Sequence, residues 1–275
     1  MTVALPEDVQ ALQEAVRDRP EGARVLPVAG GTKPALSTPP ADDVLALDVS
    51  GLRGITEYDP AELTFTALAA TPVAEVAEAL AEHGQYLPFD PPLGDAGATL
   101  GGAVAAGTAG SNALRHGGVR DFVLGVRFID GTGRLISGGG RVVKNAAGFD
   151  LPKLMVGSMG RLGVMVQLSL KVFPRPRATT TLLFELGDRD RAVEVSSALM
   201  RGPLDLDALD LEPVGRLLVR LGGDPDALDA RTQRVVDAVG ELPRDHLHDK
   251  DDEDLWRTVA ALTWVPPDTT SCAPA

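Results

Sequence analysis

The chain has 275 residues, a net charge of −13 and a sequence pI of about 4.7. Hydrophobic residues make up 44% of it and charged residues 24%, a globular balance that excludes collagen-like and wholly disordered chains. At roughly 100–200 residues per domain the length allows one large domain or two small ones, and the acidic sum excludes a general nucleic-acid binder, which needs a basic field.

Val9, Leu12 and Val16 recur at helical spacing among polar residues, which predicts an amphipathic helix over 7–18. The apolar run Arg24–Ala29 predicts a strand that feeds directly into Gly30-Gly31-Thr32-Lys33. Leu45–Val49 and Leu63–Ala69 predict two more strands. Thr71 as N-cap, Pro72 at the first helical position and Glu75 behind them predict a helix ending near Gly84. Pro88–Pro92 is a break, followed by a glycine-rich run over 94–110. Strands are predicted at Val123–Ile129 and Leu135–Ser137, with a turn at Gly131 and Gly133 between them. After Val142–Asn145 come a helix around Asp150–Val156 and a strand at Gly163–Phe173. Pro174-Arg175-Pro176 closes this region like a linker. The remainder predicts a small α/β unit: strands at Thr179–Leu186, Leu206–Leu211 and Gly215–Leu221, with helices at Asp188–Met200, Pro225–Val239 and Glu253–Ala261.

Charge and glycine are unevenly distributed. Residues 1–90 carry a net −10, residues 91–177 a net +7 and residues 178–275 a net −10. The middle segment also holds 18 of the 30 glycines. Close backbone approach and a positive local field together favour a bound anion. The plainer explanation is a loop-rich domain with solvated arginines; charge and glycine together tilt toward an anionic cofactor.

Individual motifs narrow the chemistry. Gly30-Gly31-Thr32-Lys33 has the ingredients of a P-loop in the wrong order. No G-x-G-x-x-G opens an N-terminal βαβ unit, and the triplet Gly157, Gly160, Gly163 precedes a strand rather than a helix. His246 and His248 beside Asp249, Asp251 and Asp252 have metal-ligand chemistry, but a solvated acidic loop explains them better, and no metal site is expected. His116 reads as a hydrogen-bonding structural residue as readily as an acid or base. Cys272 is the sole cysteine, so no internal disulfide and no cysteine-held cluster can form within the chain. Ser158 is not in a G-x-S-x-G elbow. The N-terminal ten residues lack the pattern of a secretion signal. The longest uncharged stretch, Ala96–Leu114, contains five glycines and is a poor membrane span. Two pieces remain. Gly30–Lys33 at a strand end can form a nest of backbone N–H groups for phosphate oxygens, or an ordinary strand-ending turn. Gly97–Gly110, rich in small residues, lets a flat or phosphate-bearing ligand lie against backbone, or lets a helix pack closely.

Together with the downstream sequence these pieces resemble the PCMH-type FAD-binding domain of the vanillyl-alcohol oxidase superfamily, and within it the E-type FAD-binding subunits of bacterial glycolate oxidases. The matching stretches are Ala29–Lys33, Gly97–Gly102, Val119–Gly125, Val143–Leu151 and Met155–Val164, continuing to Leu170–Pro176. The resemblance implies an α+β chain: a PCMH-type domain over 1–177, made of two α/β subdomains over about 1–88 and 89–177, then a small, shortened, ferredoxin-like α/β domain over 178–275. It implies cofactor contacts at Ala29, Gly30, Gly31, Thr32 and Lys33; at Pro92, Gly97, Ala98, Thr99, Gly101, Gly102 and Gly107; at Lys144, Gly148 and Asp150; and at Gly157, Gly160, Leu162, Gly163 and Val164. FAD is expected to be non-covalent, because no His or Cys lies near Gly30–Lys33. The implied activity is hydride transfer to flavin from glycolate or a related 2-hydroxy acid, with flavin and iron–sulfur partner subunits. The expected location is the cytoplasm, or peripherally at the inner membrane through partners. No residue is assigned as the catalytic base. The alternatives are a non-catalytic FAD-binding or assembly subunit, and a stand-alone FAD-linked alcohol oxidase.

Overall fold

A computed structural model describes residues 2–33, 36, 44–140, 149–213 and 215–263. The N-terminal layer is parallel. β1 (Thr2–Ala4), α1 (Val9–Arg17), β2 (Arg24–Val28) and β3 (Val44–Asp48) give a three-stranded sheet in the order β1-β3-β2. α1 begins where the Asp8 carboxylate accepts the Ala11 N–H, and it buries Leu12 and Val16, the residues that predicted it.

Next come β4 (Ile55–Asp59), β5 (Thr64–Leu68), α2 (Val73–Ala81), β6 (Gln85–Tyr86), α3 (Leu100–Ala106), α4 (Ala113–His116), a 3-10 turn at Val119–Asp121, β7 (Val123–Ile129), β8 (Leu135–Gly139), α5 (Leu151–Met155), β9 (Val164–Lys171) and β10 (Phe173–Pro174). β4-β5-β9-β7-β8 is an antiparallel five-stranded sheet, and β6 pairs with β10. α2 and α3 cover one face, packing Val76, Leu80, Leu100 and Val104 against Phe65, Ala67, Leu168 and Leu170. The other face meets α1 and β3 through Leu12, Leu47, Ile129, Val164 and Val166.

Two expectations change here. The strand pairing divides the sheets between Asp48 and Ile55, not near residue 88, because β5 runs antiparallel to β9 and so ties residues 55–68 to the middle of the chain. Thr71 is not the cap of α2; Pro72 holds that position without a side-chain bond. Thr71 is wholly buried instead, accepting the Gly54 N–H at 2.9 Å and donating to the Leu68 carbonyl at 2.7 Å. The first N–H of the helix, that of Val73, is met instead by the Ala98 carbonyl at 2.8 Å, so the Thr71 hydroxyl is left to satisfy the buried backbone groups around it.

The rest of the described chain is a β-α-β-β-α-β run with one more helix. β11 (Ala178–Glu185), α6 (Arg189–Arg201), β12 (Ala208–Leu211), β13 (Arg216–Gly223), α7 (Pro225–Val239) and β14 (Asp245–His248) precede α8 (Asp249–Ala260). The antiparallel order β12-β13-β11-β14 is the split-βαβ, ferredoxin-like connectivity. α6 and α7 cover one face through Ala192, Leu199, Leu228 and Val235; α8 covers the other through Trp256. α8 is pinned by a buried network. The wholly buried Asp252 carboxylate accepts from Thr179 Oγ1 (2.7 Å), Thr181 Oγ1 (2.5 Å) and Arg220 Nη2 (2.6 Å), while Trp256 Nε1 donates to Thr181 Oγ1 at 2.7 Å.

Candidate functional site

Three glycine-bearing segments, far apart in sequence, meet along one end of the middle sheet, where β5 finishes and β9 begins. The first is the loop after β2. At Gly30 the backbone runs so close to Gly97 that an added Cβ would overlap the Gly97 carbonyl oxygen. Only glycine permits that approach. The second is the turn and helix Gly97–Gly107. The Thr99 hydroxyl caps α3 by accepting the Gly102 N–H, and Gly107 closes it in the left-handed conformation, φ 67°. The third is Gly157–Gly163. Its Gly157 and Met159 N–H groups donate to the Val104 and Ala105 carbonyls at 3.0 and 2.8 Å. A Cβ on Gly107 would stand 3.2 Å from the Gly157 Cα, and one on Gly160 would stand 3.1 Å from Pro27 of β2. The three segments therefore close on one another, and Gly30, Gly31, Gly97, Gly102, Gly107 and Gly157 are all exposed there.

The groups along this end are ready for an acceptor-rich ligand. The backbone N–H groups of Gly31, Thr32 and Lys33 have no partner among the described residues. Lys33 is half-buried, its ammonium 3.2 Å from Thr32 Oγ1, and burial pulls its pKa below the ordinary lysine value. Two hydroxyls, Thr108 Oγ1 and Ser158 Oγ, are buried without a hydrogen-bond partner among the described residues. They sit one residue after Gly107 and Gly157, where α3 meets the third segment. Buried hydroxyls are ordinarily satisfied, so this pair marks a place where a further group belongs.

Other expected contacts fall differently. Gly101 and Ala98 are buried: a Gly101 Cβ would lie 2.8 Å from the Ala69 carbonyl, and the Ala98 carbonyl accepts the Val73 N–H at 2.8 Å. Gly163 packs on β7, where a Cβ would lie 2.5 Å from the Ile129 carbonyl, and Val164 is buried in the core. These residues hold the segments together. Ala29 packs partly against the same core, and Leu162 is exposed beside Gly160. Pro92 lies in the turn before Gly97. Asp150 caps α5, its carboxylate accepting the Lys153 N–H and pairing with the Lys153 ammonium at 3.1 Å. Lys144 and Gly148 lie outside the described residues. Sequence reasoning passed over Thr108 and dismissed Ser158 as a nucleophile; nothing in the sequence shows that their hydroxyls lack partners.

A family described as the FAD binding domain matches residues 2–139. The chain belongs to this family. FAD is accordingly the cofactor of this domain. The residues present fit it: a row of free N–H groups and a lysine suit a pyrophosphate, and the two unpartnered hydroxyls suit further acceptors. The glycolate oxidase subunit GlcE of Escherichia coli (strain K12) is 42% identical over 200 residues, 73% of this chain and 57% of that protein. The glycolate oxidase subunit GlcD of Bacillus subtilis (strain 168) is 30% identical over 189 residues, 68% of this chain and 40% of that protein. The chain thus spans about half the length of the curated relatives it matches. The fold is shared with an alkyldihydroxyacetonephosphate synthase at a TM-score of 0.73 and 17% identity, over 94% of this chain and 54% of that one.

Other polar groups serve structure. His116 accepts or donates at 3.0 Å to the Tyr86 hydroxyl and packs edge-on against Phe173, while burial lowers its pKa. His246 and His248 lie side by side on β14, ring centroids 4.1 Å apart. No group of three or more metal-ligating side chains occurs among the described residues. No helix among them is long and apolar enough to cross a membrane.

Where the middle of the chain meets the β11–β14 sheet, Ser111 donates to Asp210, and Arg115 pairs with Asp205 and Asp207 at 2.8 and 3.2 Å. Asp90 is mostly enclosed at this junction. Burial pushes its carboxyl above the ordinary range, Arg220 works against that and Asp210 adds to it. A carboxyl whose folded-state pKa exceeds its unfolded value of 3.8 lowers stability wherever the unfolded chain releases that proton more readily. The cost is absent below that value, grows as pH rises above it, and levels off once pH passes the folded pKa. Asp90→Asn should therefore raise the melting temperature at pH 7 relative to wild type, with the gain vanishing near pH 3.5, about where unfolded aspartate protonates. Melting curves across pH check this; a gain independent of pH would contradict it.

Proposed function

We propose that this chain is the FAD-binding subunit of a glycolate, or related 2-hydroxy acid, oxidase or dehydrogenase complex. The observation that carries the reading is the convergence of Gly30–Lys33, Gly97–Gly107 and Gly157–Gly160 around unpartnered donors, in a chain 42% identical over 200 residues to a glycolate oxidase subunit. In this reading residues 1–177 form the FAD-binding unit and residues 178–275 a substrate-side unit. Gly31, Thr32 and Lys33 bind the pyrophosphate through their N–H groups and the Lys33 ammonium. Thr108 and Ser158 donate hydroxyl hydrogen bonds to the cofactor from the α3 side. Gly30, Gly97, Gly102, Gly107 and Gly157 leave room for it by lacking side chains, and Lys144 and Gly148 complete the site. Bound FAD supplies an acceptor for a hydride equivalent from the hydroxy acid. The binding is non-covalent, because no His or Cys adjoins Gly30–Lys33. With a single cysteine the chain cannot hold an iron–sulfur cluster, so an iron–sulfur partner takes the electrons onward. The complex works in the cytoplasm or at the inner membrane through its partners.

Ser158→Ala tests the cofactor side. The hydroxyl has no bond to lose in the cofactor-free protein, so stability should stay within about 0.5 kcal/mol. Affinity for FAD should fall about three- to tenfold, the worth of one hydrogen bond. Equal affinities for the two proteins would remove Ser158 from the cofactor site. The activity is tested by co-purifying the chain with partner subunits and adding glycolate: bleaching of the flavin absorbance is the expected result. Bleaching of equal rate and extent when this chain is left out would sink its proposed role.

A further inference from the structure

The turn that carries Gly97 is held from outside the cofactor site. Leu93 opens that turn. Its carbonyl accepts the Ala96 and Ala98 N–H groups at 3.2 and 3.0 Å, and the Gly97 N–H donates to the Gly94 carbonyl at 3.0 Å. Leu93 is left-handed, φ 66°. A bulky side chain rarely adopts that conformation, and it persists only where the surroundings impose it. The surroundings here are α8: the Leu93 N–H donates to the carbonyl of Ala260, the last residue of that helix, at 2.9 Å. Arg257 of α8 also reaches Asp95, at 3.8 Å, but these side chains are 66% and 64% exposed, and so open an ion pair contributes little. The hydrogen bond is therefore the contact that matters. α8 is itself fixed on the β11–β14 sheet by Asp252 and Trp256. A continuous path thus runs from that buried network, through the end of α8 and Leu93, to the Gly97 carbonyl that lies against Gly30.

We propose that Ala260 is a positioning residue for the cofactor: its carbonyl holds Leu93 left-handed, and so sets the Gly97 turn against Gly30 in the geometry that binds FAD. The proposal rests on the cofactor site described above and deepens it. Leu93 has two arrangements, left-handed while Ala260 accepts its N–H, and relaxed to the ordinary region once that acceptor moves away. Relaxation swings the Leu93 carbonyl off the Ala96 and Ala98 N–H groups, and Gly97 leaves its place beside Gly30. FAD held by Gly30–Lys33 and Gly97–Gly107 together favours the first arrangement. Linkage between two sites is reciprocal, so FAD should in turn hold the last turn of α8 in place.

Ala260→Pro tests the link. Proline removes its own N–H and crowds the Trp256 carbonyl one turn back, so the helix end and the Ala260 carbonyl shift while Asp252 and Trp256 keep the rest of α8 on the sheet. Affinity for FAD, read by flavin fluorescence on the full chain, should fall about tenfold, because binding must then restore a left-handed leucine. Ala260→Ser keeps the backbone bond and should bind FAD like the wild type. Amide hydrogen exchange of the wild type gives a second reading that does not depend on any variant folding. Added FAD should slow exchange in the last turn of α8 and leave α7 unchanged. Wild-type affinity in a folded Ala260→Pro, or exchange at the end of α8 that FAD does not alter, overturns the proposal. In either case a loss of affinity in Gly30→Ala would leave the cofactor site standing, whereas wild-type affinity there too would overturn that site as well.

Discussion

Gly30→Ala should lower the affinity for FAD by about tenfold to a hundredfold while leaving the protein folded. The new Cβ would overlap the Gly97 carbonyl oxygen, a backbone atom that cannot rotate aside. One of the two segments must move, and overpacking of this kind costs about 1–3 kcal/mol, a factor of about ten to a hundred in binding when the strain falls on the bound geometry. The displacement would carry the free N–H groups of Gly31, Thr32 and Lys33 out of line with the α3 side. Gly131→Ala is the control: it lies in the β7–β8 turn with open space around its Cβ position. It should bind FAD like the wild type. Equilibrium titration of flavin fluorescence reads both variants, and wild-type affinity in Gly30→Ala would mean that this approach does not shape the cofactor site.

Asp252→Ala should destabilise the β11–β14 sheet and α8 by about 3–5 kcal/mol, the cost of breaking a buried ion pair by removing one partner. The carboxylate is wholly buried and accepts from Thr179, Thr181 and Arg220 at once. Removing it strands the Arg220 guanidinium, only 15% of whose side chain is exposed, and leaves two threonine hydroxyls to find other acceptors. Trp256 would lose the orientation of the Thr181 hydroxyl to which it donates. Urea unfolding followed by tryptophan fluorescence measures the change. A loss under about 1 kcal/mol would show that water reaches the network and satisfies it.

Much of the fold could be read from local pattern. Leu12 and Val16 predicted α1, and the apolar runs over 64–68 and 164–171 predicted the two central strands, because each pattern is set by burial of neighbouring residues. β4 escaped notice because Ile55–Asp59 is a sheet edge, paired only with β5, and carries Thr56, Glu57 and Tyr58 as an edge strand can. β14 was hidden for the same reason: His246 and His248 read as an acidic loop, yet they pair with Leu182 and Thr180 of β11. α3 was obscured by its own glycines, which lower helix propensity but let the helix close on Ala69. The division of the sheets was not legible at all, since β5 and β9 are about a hundred residues apart in sequence and a pairing that distant leaves no local trace. The site divides in the same way. The loop at Gly30–Lys33 reads either as a nest for an anion or as an ordinary strand-ending turn, and only the downstream stretches tip it toward the nest. The lack of partners for Thr108 and Ser158 is a property of packing.

The absorbance spectrum of the purified chain, taken before and after acid precipitation, tests most directly that these three glycine segments hold FAD without a covalent bond. The expected result is bands at about 370 and 450 nm, from the flavin itself, that pass into the supernatant when the protein is removed. A colourless protein that takes up no added FAD, or flavin that stays in the pellet, would contradict it.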